Sequence, residues 1–216
     1  MRRIFTVLAL ALAPPLAAAD TDLLVAPAHL LAPDDPAWQD LAAGLRAQTA
    51  VTADFTENRW FPFKKTPTVL TGEVRVSAGH GLSLHYLDPA GQTVVIDDRG
   101  LLVRSASGDT VPPADPRAGA ANAALLHVLR FDLRTLADTF AVYGRRTGTA
   151  WQLALVPKDA DLRRTLGQVA IEGDGTAVRR IELRRSALQR VEILVSPPTS
   201  TAAFTADELG RFFRAP

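Results

Sequence analysis

The sequence predicts an α+β fold that is mainly antiparallel β: one large curved sheet of about nine or ten strands wrapping a few helices. Three observations carry this. From Val51 onward, apolar and polar residues alternate with a period of two through a series of short segments. Turn signals separate these segments too closely for helical crossovers, so they read as a meander rather than βαβ units. A helical stretch then interrupts the strands near residues 120–139 before strands return.

Taken in order, residues 20–34 are rich in Ala, Leu, Pro and Asp and read as an irregular arm. Asp35-Pro36 is a helix start, with Asp as N-cap and Pro at the first helical position. Trp38, Leu41 and Leu45 continue at helical spacing, which predicts an amphipathic helix over 36–48. Val51 to Trp60 reads as a strand, and the prolines of Phe61-Pro-Phe-Lys-Lys-Thr-Pro67 make the next segment a turn. Over 70–77, Leu70, Gly72, Val74 and Val76 share one face. Leu82, Leu84 and Tyr86 share a face of the next strand, and Asp88-Pro89-Ala90-Gly91 turns it. Segments 93–96 and 101–104 flank Asp97-Asp98-Arg99-Gly100 as a hairpin. Gly108 to Gly119, with three prolines, reads as a loop. Two helices follow, over 120–130 and 134–139, the second led by Asp132. Strands are expected again over 141–147, 149–156, 166–172, 177–185 and 188–196. Thr205-Ala-Asp-Glu208 is a capping box that opens a terminal helix over 206–213.

The 216 residues suit one large domain, and no repeat or linker divides them. Arg2 and Arg3, the apolar run Ile4 to Leu12 and Ala17-Ala18-Ala19 read as a signal peptide over 1–19 that is cleaved on export. The mature 197 residues then carry a net charge of −1, against +1 for the whole chain. That balance removes the electrostatic argument for nucleic acid. The absence of cysteine excludes disulfides, thiolate metal sites, cysteine nucleophiles and lipidation on a thiol. The exported location argues against ATP and nicotinamide cofactors, so none is expected.

The four histidines, His29, His80, His85 and His127, have no metal-ligand spacing, so no metal site is predicted. His80 and His85 would face opposite sides of a continuous strand. No GxSxG elbow marks a nucleophilic serine. Asp34-Asp35 and Asp97-Asp98 fit helix-start and hairpin roles. Gly173-Asp174-Gly175 is a turn, not a phosphate cradle. Arg179, Arg180, Arg184, Arg185 and Arg190 fall on both strand faces and read as a solvated sheet face, with Glu182 and Glu192 as cross-strand partners. The alternative for them is anionic lipid or an acidic partner.

Several short motifs occur in a telling order: Ala53-Asp54-Phe55-Thr56-Glu57, Gly72-Glu73-Val74-Arg75-Val76, Leu87-Asp88-Pro89, Val94-Val95-Ile96-Asp97-Asp98-Arg99-Gly100-Leu101, then Trp151-Gln-Leu-Ala-Leu-Val-Pro157-Lys158. Over roughly residues 36–196 the chain resembles the LolA-like family of periplasmic outer-membrane lipoprotein carriers. The resemblance implies a half-open, incomplete β-barrel of about nine to eleven strands covered by lid helices, with 20–216 as one lipid-carrier domain. In this likeness 118–139 matches the lid, and Phe55 and Val74 match the starts of the family's first strands. Val76-Ser77-Ala78-Gly79 departs from it, because typical carriers have a basic residue followed by proline there. The departure favours a divergent relative that handles another lipid or one pathway's acylated product.

The function implied is that of a periplasmic carrier or chaperone, not an enzyme, that moves a lipid or a lipoprotein's acyl chains toward the outer membrane. Its partners would be that ligand, an inner-membrane transporter and an outer-membrane receptor, and a monomer is expected. The expected lining is Phe55, Leu70, Val74, Val76, Leu82, Leu84, Tyr86, Val94 and Ile96, with Leu125, Leu126 and Leu129 from the lid. Two alternatives stand beside it: an envelope hydrolase or acyltransferase with an unidentified Ser or Asp, and an assembly protein using a sheet edge or its arginines.

Overall fold

The computed structural model describes residues 24–32, 34–87, 91–111, 123, 126–127 and 130–215. The expected signal peptide, the turn residues Asp88-Pro89-Ala90 and loop residues 112–119 lie outside them. Eleven strands form one sheet: β1 (Ala50–Trp60), β2 (Thr68–Ser77), β3 (Gly81–Tyr86), β4 (Gln92–Asp97), β5 (Gly100–Ser105), β6 (Gly108–Thr110), β7 (Phe140–Thr147), β8 (Ala150–Pro157), β9 (Gln168–Asp174), β10 (Ala177–Ser186) and β11 (Gln189–Val195). Their order is β6-β5-β4-β3-β2-β1-β11-β10-β9-β8-β7. Every neighbouring pair is antiparallel. A sheet this wide curls, and here it curls into a half-open barrel whose end strands, β6 and β7, are not paired with each other.

The alternation read from the sequence sets the two faces. Ala53 pairs with Val74 and Val74 with Leu84, so these three point into the concave side. Across β11 and β10 the same face continues through Ile193, Ile181 and Ile171. Helix α1 (Pro36–Arg46) starts as expected, the Asp35 side chain accepting from Ala37 N–H at 3.0 Å. Helix α2 (Leu133–Thr139) has Asp132 as its cap. Trp38 and Leu41 of α1, Leu133 and Leu136 of α2, and Leu162 and Leu166 of α3 (Ala160–Leu166) join Trp151, Leu153, Leu155, Val169 and Ile171 in one buried cluster. Ala123, Leu126 and His127 are helical, Arg130 is in a turn, and the rest of the expected helix 120–130 lies outside the described residues.

Trp151 packs on Gly173, where a Cβ would overlap the indole ring, while the indole N–H donates to Gly175 O at 2.8 Å. Gly173→Ala is therefore expected to lose about 1–3 kcal/mol through overpacking, read as a lower Tm. An unchanged Tm would mean that the ring shifts freely.

The terminal helix α4 (Ala206–Phe212) has the capping box read from Thr205 and Glu208. It lies on the convex face, opposite the concave core. Phe212 sits under the Arg75 guanidinium at 3.5 Å and meets the His85 ring edge-on. Phe213 is fully buried, and Arg104 donates to the carbonyls of Gly210, Arg211 and Phe213 at 3.0, 2.7 and 3.1 Å. The helix thus covers the outer face of β2–β5.

Four expectations need correction. Residues 160–166 form α3, a helix not expected, and the strand expected from Leu166 begins at Gln168: Asp159 caps the helix and Gly167, at φ 75°, ends it. Gly108–Thr110 is not loop but a short strand that pairs with β5. The arm before α1 is less irregular than its composition suggests, since Leu30 bridges to Tyr143 and Leu31 N–H donates to Val142 O at 2.8 Å. It thereby covers part of the free β7 edge. Phe55 and Val74 lie in mid-strand, paired with Gly72 and Ala53, not at strand starts.

Candidate functional site

Between the concave face and the helices is a cavity of about 640 Å³. One wall comes from Val51 and Ala53 of β1, Val74 and Val76 of β2, and Leu82 and Leu84 of β3. The facing wall comes from Ile171, Val178, Ile181, Ile193 and Val195 of β9–β11, and Leu45, Leu126 and Phe131 bound it from the helical side. Polar groups gather where β1 begins and β2 and β11 end: Gln48, Ser77, Thr176 and Ser196, with Arg46, Arg130 and Asp132. Arg46 donates to Phe131 O at 3.0 Å. Arg130 reaches Asp98 at 2.9 Å, which, with its hydrogen bond, holds the exposed Asp98 carboxyl below its ordinary pKa. The site is an apolar container with a polar rim, an arrangement suited to a ligand with an apolar body and a polar end.

Five of the expected lining residues stand on the cavity wall: Val74, Val76, Leu82, Leu84 and Leu126. Phe55, Tyr86 and Ile96 are buried in the same apolar cluster without lining the cavity, and Leu70 and Val94 pack against it half-buried. Leu125 and Leu129 lie outside the described residues. The sequence reading missed the whole β9–β11 wall. Its signal was present in the alternation Ile181-Glu182-Leu183 and in Ile193 and Val195 two apart, but the flanking Arg180 and Arg184 drew the reading to the other face.

Phe55 and Tyr86 close the interior beyond Ala53. Their rings meet edge-on at 5.3 Å, and the Phe55 ring occupies space that a Cβ on Gly72 would fill. The Tyr86 hydroxyl donates to Glu57 Oε2 at 2.6 Å. Burial, then this bond and the Glu57 charge, push the Tyr86 phenol well above its ordinary pKa. Arg59 pairs with Glu57. The bond to that carboxylate, against the cost of burial, raises the guanidinium pKa. So the one buried carboxylate on this stretch of the concave face is satisfied. A smaller cleft of about 380 Å³ lies beyond, lined by Glu57, Arg59, Trp60, Leu183 and Arg190.

The other candidate groups have structural partners. His80 and His85 do not face opposite sides, because a turn precedes β3. Both rings meet the outer helix segment, His80 against Phe213 and His85 against Phe212. Burial, with the nearby Arg75 charge, lowers the His85 pKa. Ser77 Oγ lies 3.1 Å from His80 Nδ1, a contact within one turn whose backbone bond runs from His80 N–H to Ser77 O at 3.2 Å. Among the described residues no three His, Asp or Glu groups cluster as a metal site.

Arg180, at the centre of the arginine cluster, is not on the solvated face expected, whereas Arg185 is exposed. Glu182 is 1 % exposed and Arg180 is buried beside it. Arg180 pairs with Glu182, with Glu172 at 2.7 Å and with Glu192 at 2.7 Å. Arg184 also bonds Glu182. Glu182 and Glu192 are the expected partners, and Asn58 donates to Glu192 at 3.1 Å. Burial opposes the Arg180 charge. The bond to Glu192 and the charges of Glu182, Glu172 and Glu192 outweigh it and raise the guanidinium pKa. Among the described residues no helix is long and apolar enough to cross a membrane.

Residues 35–211 match the family model described as "Outer membrane lipoprotein carrier protein LolA-like". No curated protein matches the chain. Among solved structures it is similar to MucB, at 19 % identity over 82 % of this chain and 62 % of that one, with a TM-score of 0.48. It is also similar to MucB in complex with MucA(peri), at 20 % identity over 82 % and 59 %, with a TM-score of 0.44. The chain thus spans about three-fifths of the length of these two relatives. A LolA superfamily protein, NE2245 from Nitrosomonas europaea, is similar at 9 % identity over 79 % of this chain and 96 % of that one, with a TM-score of 0.40.

Proposed function

Since the chain belongs to the LolA-like outer membrane lipoprotein carrier family, we propose that it is a periplasmic carrier that takes a lipid, or the acyl chains of a lipoprotein, into the concave cavity and moves it toward the outer membrane. One observation carries this reading: the 640 Å³ cavity is apolar on both sheet walls and polar at its rim. Burying one methylene gains about 0.8 kcal/mol, so a long acyl chain gains on the order of 10 kcal/mol gross. Association and ordering remove much of that, which leaves the reversible binding that a carrier needs.

Val74, Val76, Leu82, Leu84 and Leu126 would touch the chain, with Ile181, Ile193 and Val195 facing them. Phe55 and Tyr86, backed by Leu70, Val94 and Ile96, would hold the wall behind, and Leu125 and Leu129 would extend the lid. The rim would hold the ligand's polar end near Gln48, Thr176 and Ser196. The carrier would act as a monomer between an inner-membrane transporter and an outer-membrane receptor.

Native mass spectrometry of the mature protein purified from the envelope, followed by organic extraction, tests this. A stoichiometric acylated ligand is expected. A clean apo mass, with no uptake of offered lipids or acylated peptides, would overturn the reading.

A further inference from the structure

β1 runs from the cavity rim at Ala50 to Trp60, about 33 Å away for an extended strand. At that far end two hairpin tips emerge side by side, because β1 pairs with β11 and Trp60 stands opposite Arg190. The β1–β2 tip carries Phe61 and Phe63, whose rings stack at 5.4 Å, with Phe63 80 % exposed. Lys64 Nζ lies 5.8 Å from the Phe61 ring, and Lys65 follows it. The β10–β11 tip carries Leu188, 65 % exposed, between Arg185 and Arg190. The Arg190 guanidinium rests on the Trp60 ring at 4.1 Å.

The charge at this end is one-sided. Segments 59–68 and 183–191 hold six Lys and Arg and no Asp or Glu, in a chain whose net charge is +1. Arg59 is paired with Glu57 and Arg184 with Glu182. The other four cations are Lys64, Lys65, Arg185 and Arg190.

We propose that this end of the barrel docks on an anionic phospholipid surface. Exposed rings seat at the headgroup level while neighbouring cations meet phosphate, so both features are satisfied by one partner. Pro62 and Pro67 restrict the tip, which lowers the ordering cost of presenting its rings. The cavity rim lies at the opposite end of β1, so docking holds the rim away from the bilayer. The surface is therefore a tether and does not depend on what the cavity binds.

Flotation of the mature protein tests this, with phosphatidylcholine vesicles and with vesicles of equal parts phosphatidylcholine and phosphatidylglycerol. Binding to the anionic vesicles alone is expected, weakening as salt rises. Phe63→Ser, and separately Lys64→Ser with Lys65→Ser, should each weaken it on the order of tenfold, with acyl uptake unchanged. Absence of flotation, equal flotation with both vesicle types, or full binding by the variants overturns the proposal. An acidic polypeptide that binds this end in place of the vesicles would also overturn it and make the surface a protein interface.

Discussion

Leu84→Glu is expected to reduce acyl-chain binding by at least about a hundredfold. Leu84 lies on the cavity wall between Val74 and Val94, its partners on β2 and β4. A ligand chain seated against that wall would have to strip water from the new carboxylate, with no donor from the chain to replace it. Burying an unpaired charge costs at least several kcal/mol, and about 2.7 kcal/mol already corresponds to a hundredfold. The carboxylate can stay hydrated in the empty cavity, so binding suffers more than folding.

Val76→Trp is the companion variant. Val76 is half-buried near the rim, and the indole fills volume without adding charge. Both variants should lose ligand in a displacement assay with a fluorescent fatty acid while keeping the circular dichroism spectrum of the parent. Undiminished binding in both, with the fold intact, would place the ligand elsewhere.

Much of the container was legible in the sequence because its N-terminal half is regular. The alternation in Leu70 to Val76 and Leu82 to Tyr86 groups the residues that share a face, without saying which way that face turns, and the observed register keeps the group together. Caps were as plain: Asp35 before Pro36, Asp132 before Leu133, and the Thr205–Glu208 box all open helices. The facing wall was harder to see. In β10 the register shifts between Val178 and Arg180. Val178 and Ile181 are three apart, yet both line the cavity, and such a bulge breaks the period on which a face assignment rests. Helix α3 has only seven residues, too few for a helical period to stand out against the strands beside it. Its signals were the Asp159 cap and Gly167. That α4 packs outside the barrel depends on contacts such as Arg104 with the α4 carbonyls, more than a hundred residues away in sequence. No local pattern encodes contacts of that kind.

The outer face of the same sheet supplies the largest expected loss of stability. Arg180→Met should cost about 3–5 kcal/mol near neutral pH, the range for removing one partner of a buried ion pair. In a domain of this size that lowers Tm by roughly 6–20 °C. Arg180 is the shared partner of Glu172, Glu182 and Glu192. Glu182 pairs across the strands with Ala170 on one side and Glu192 on the other, so the small Ala170 leaves Arg180 and Arg184 as the groups that cover it. Without Arg180, three carboxylates remain close together, with Arg184 still bonded to Glu182. Repulsion among these uncompensated charges then destabilises the folded variant, and thermal melts near neutral pH read it as the lower Tm. Arg180→Lys keeps the charge but not the three-way donor geometry, and should restore part of the Tm. A loss under about 1 kcal/mol is what solvated surface pairs give, and would mean that water already screens this cluster.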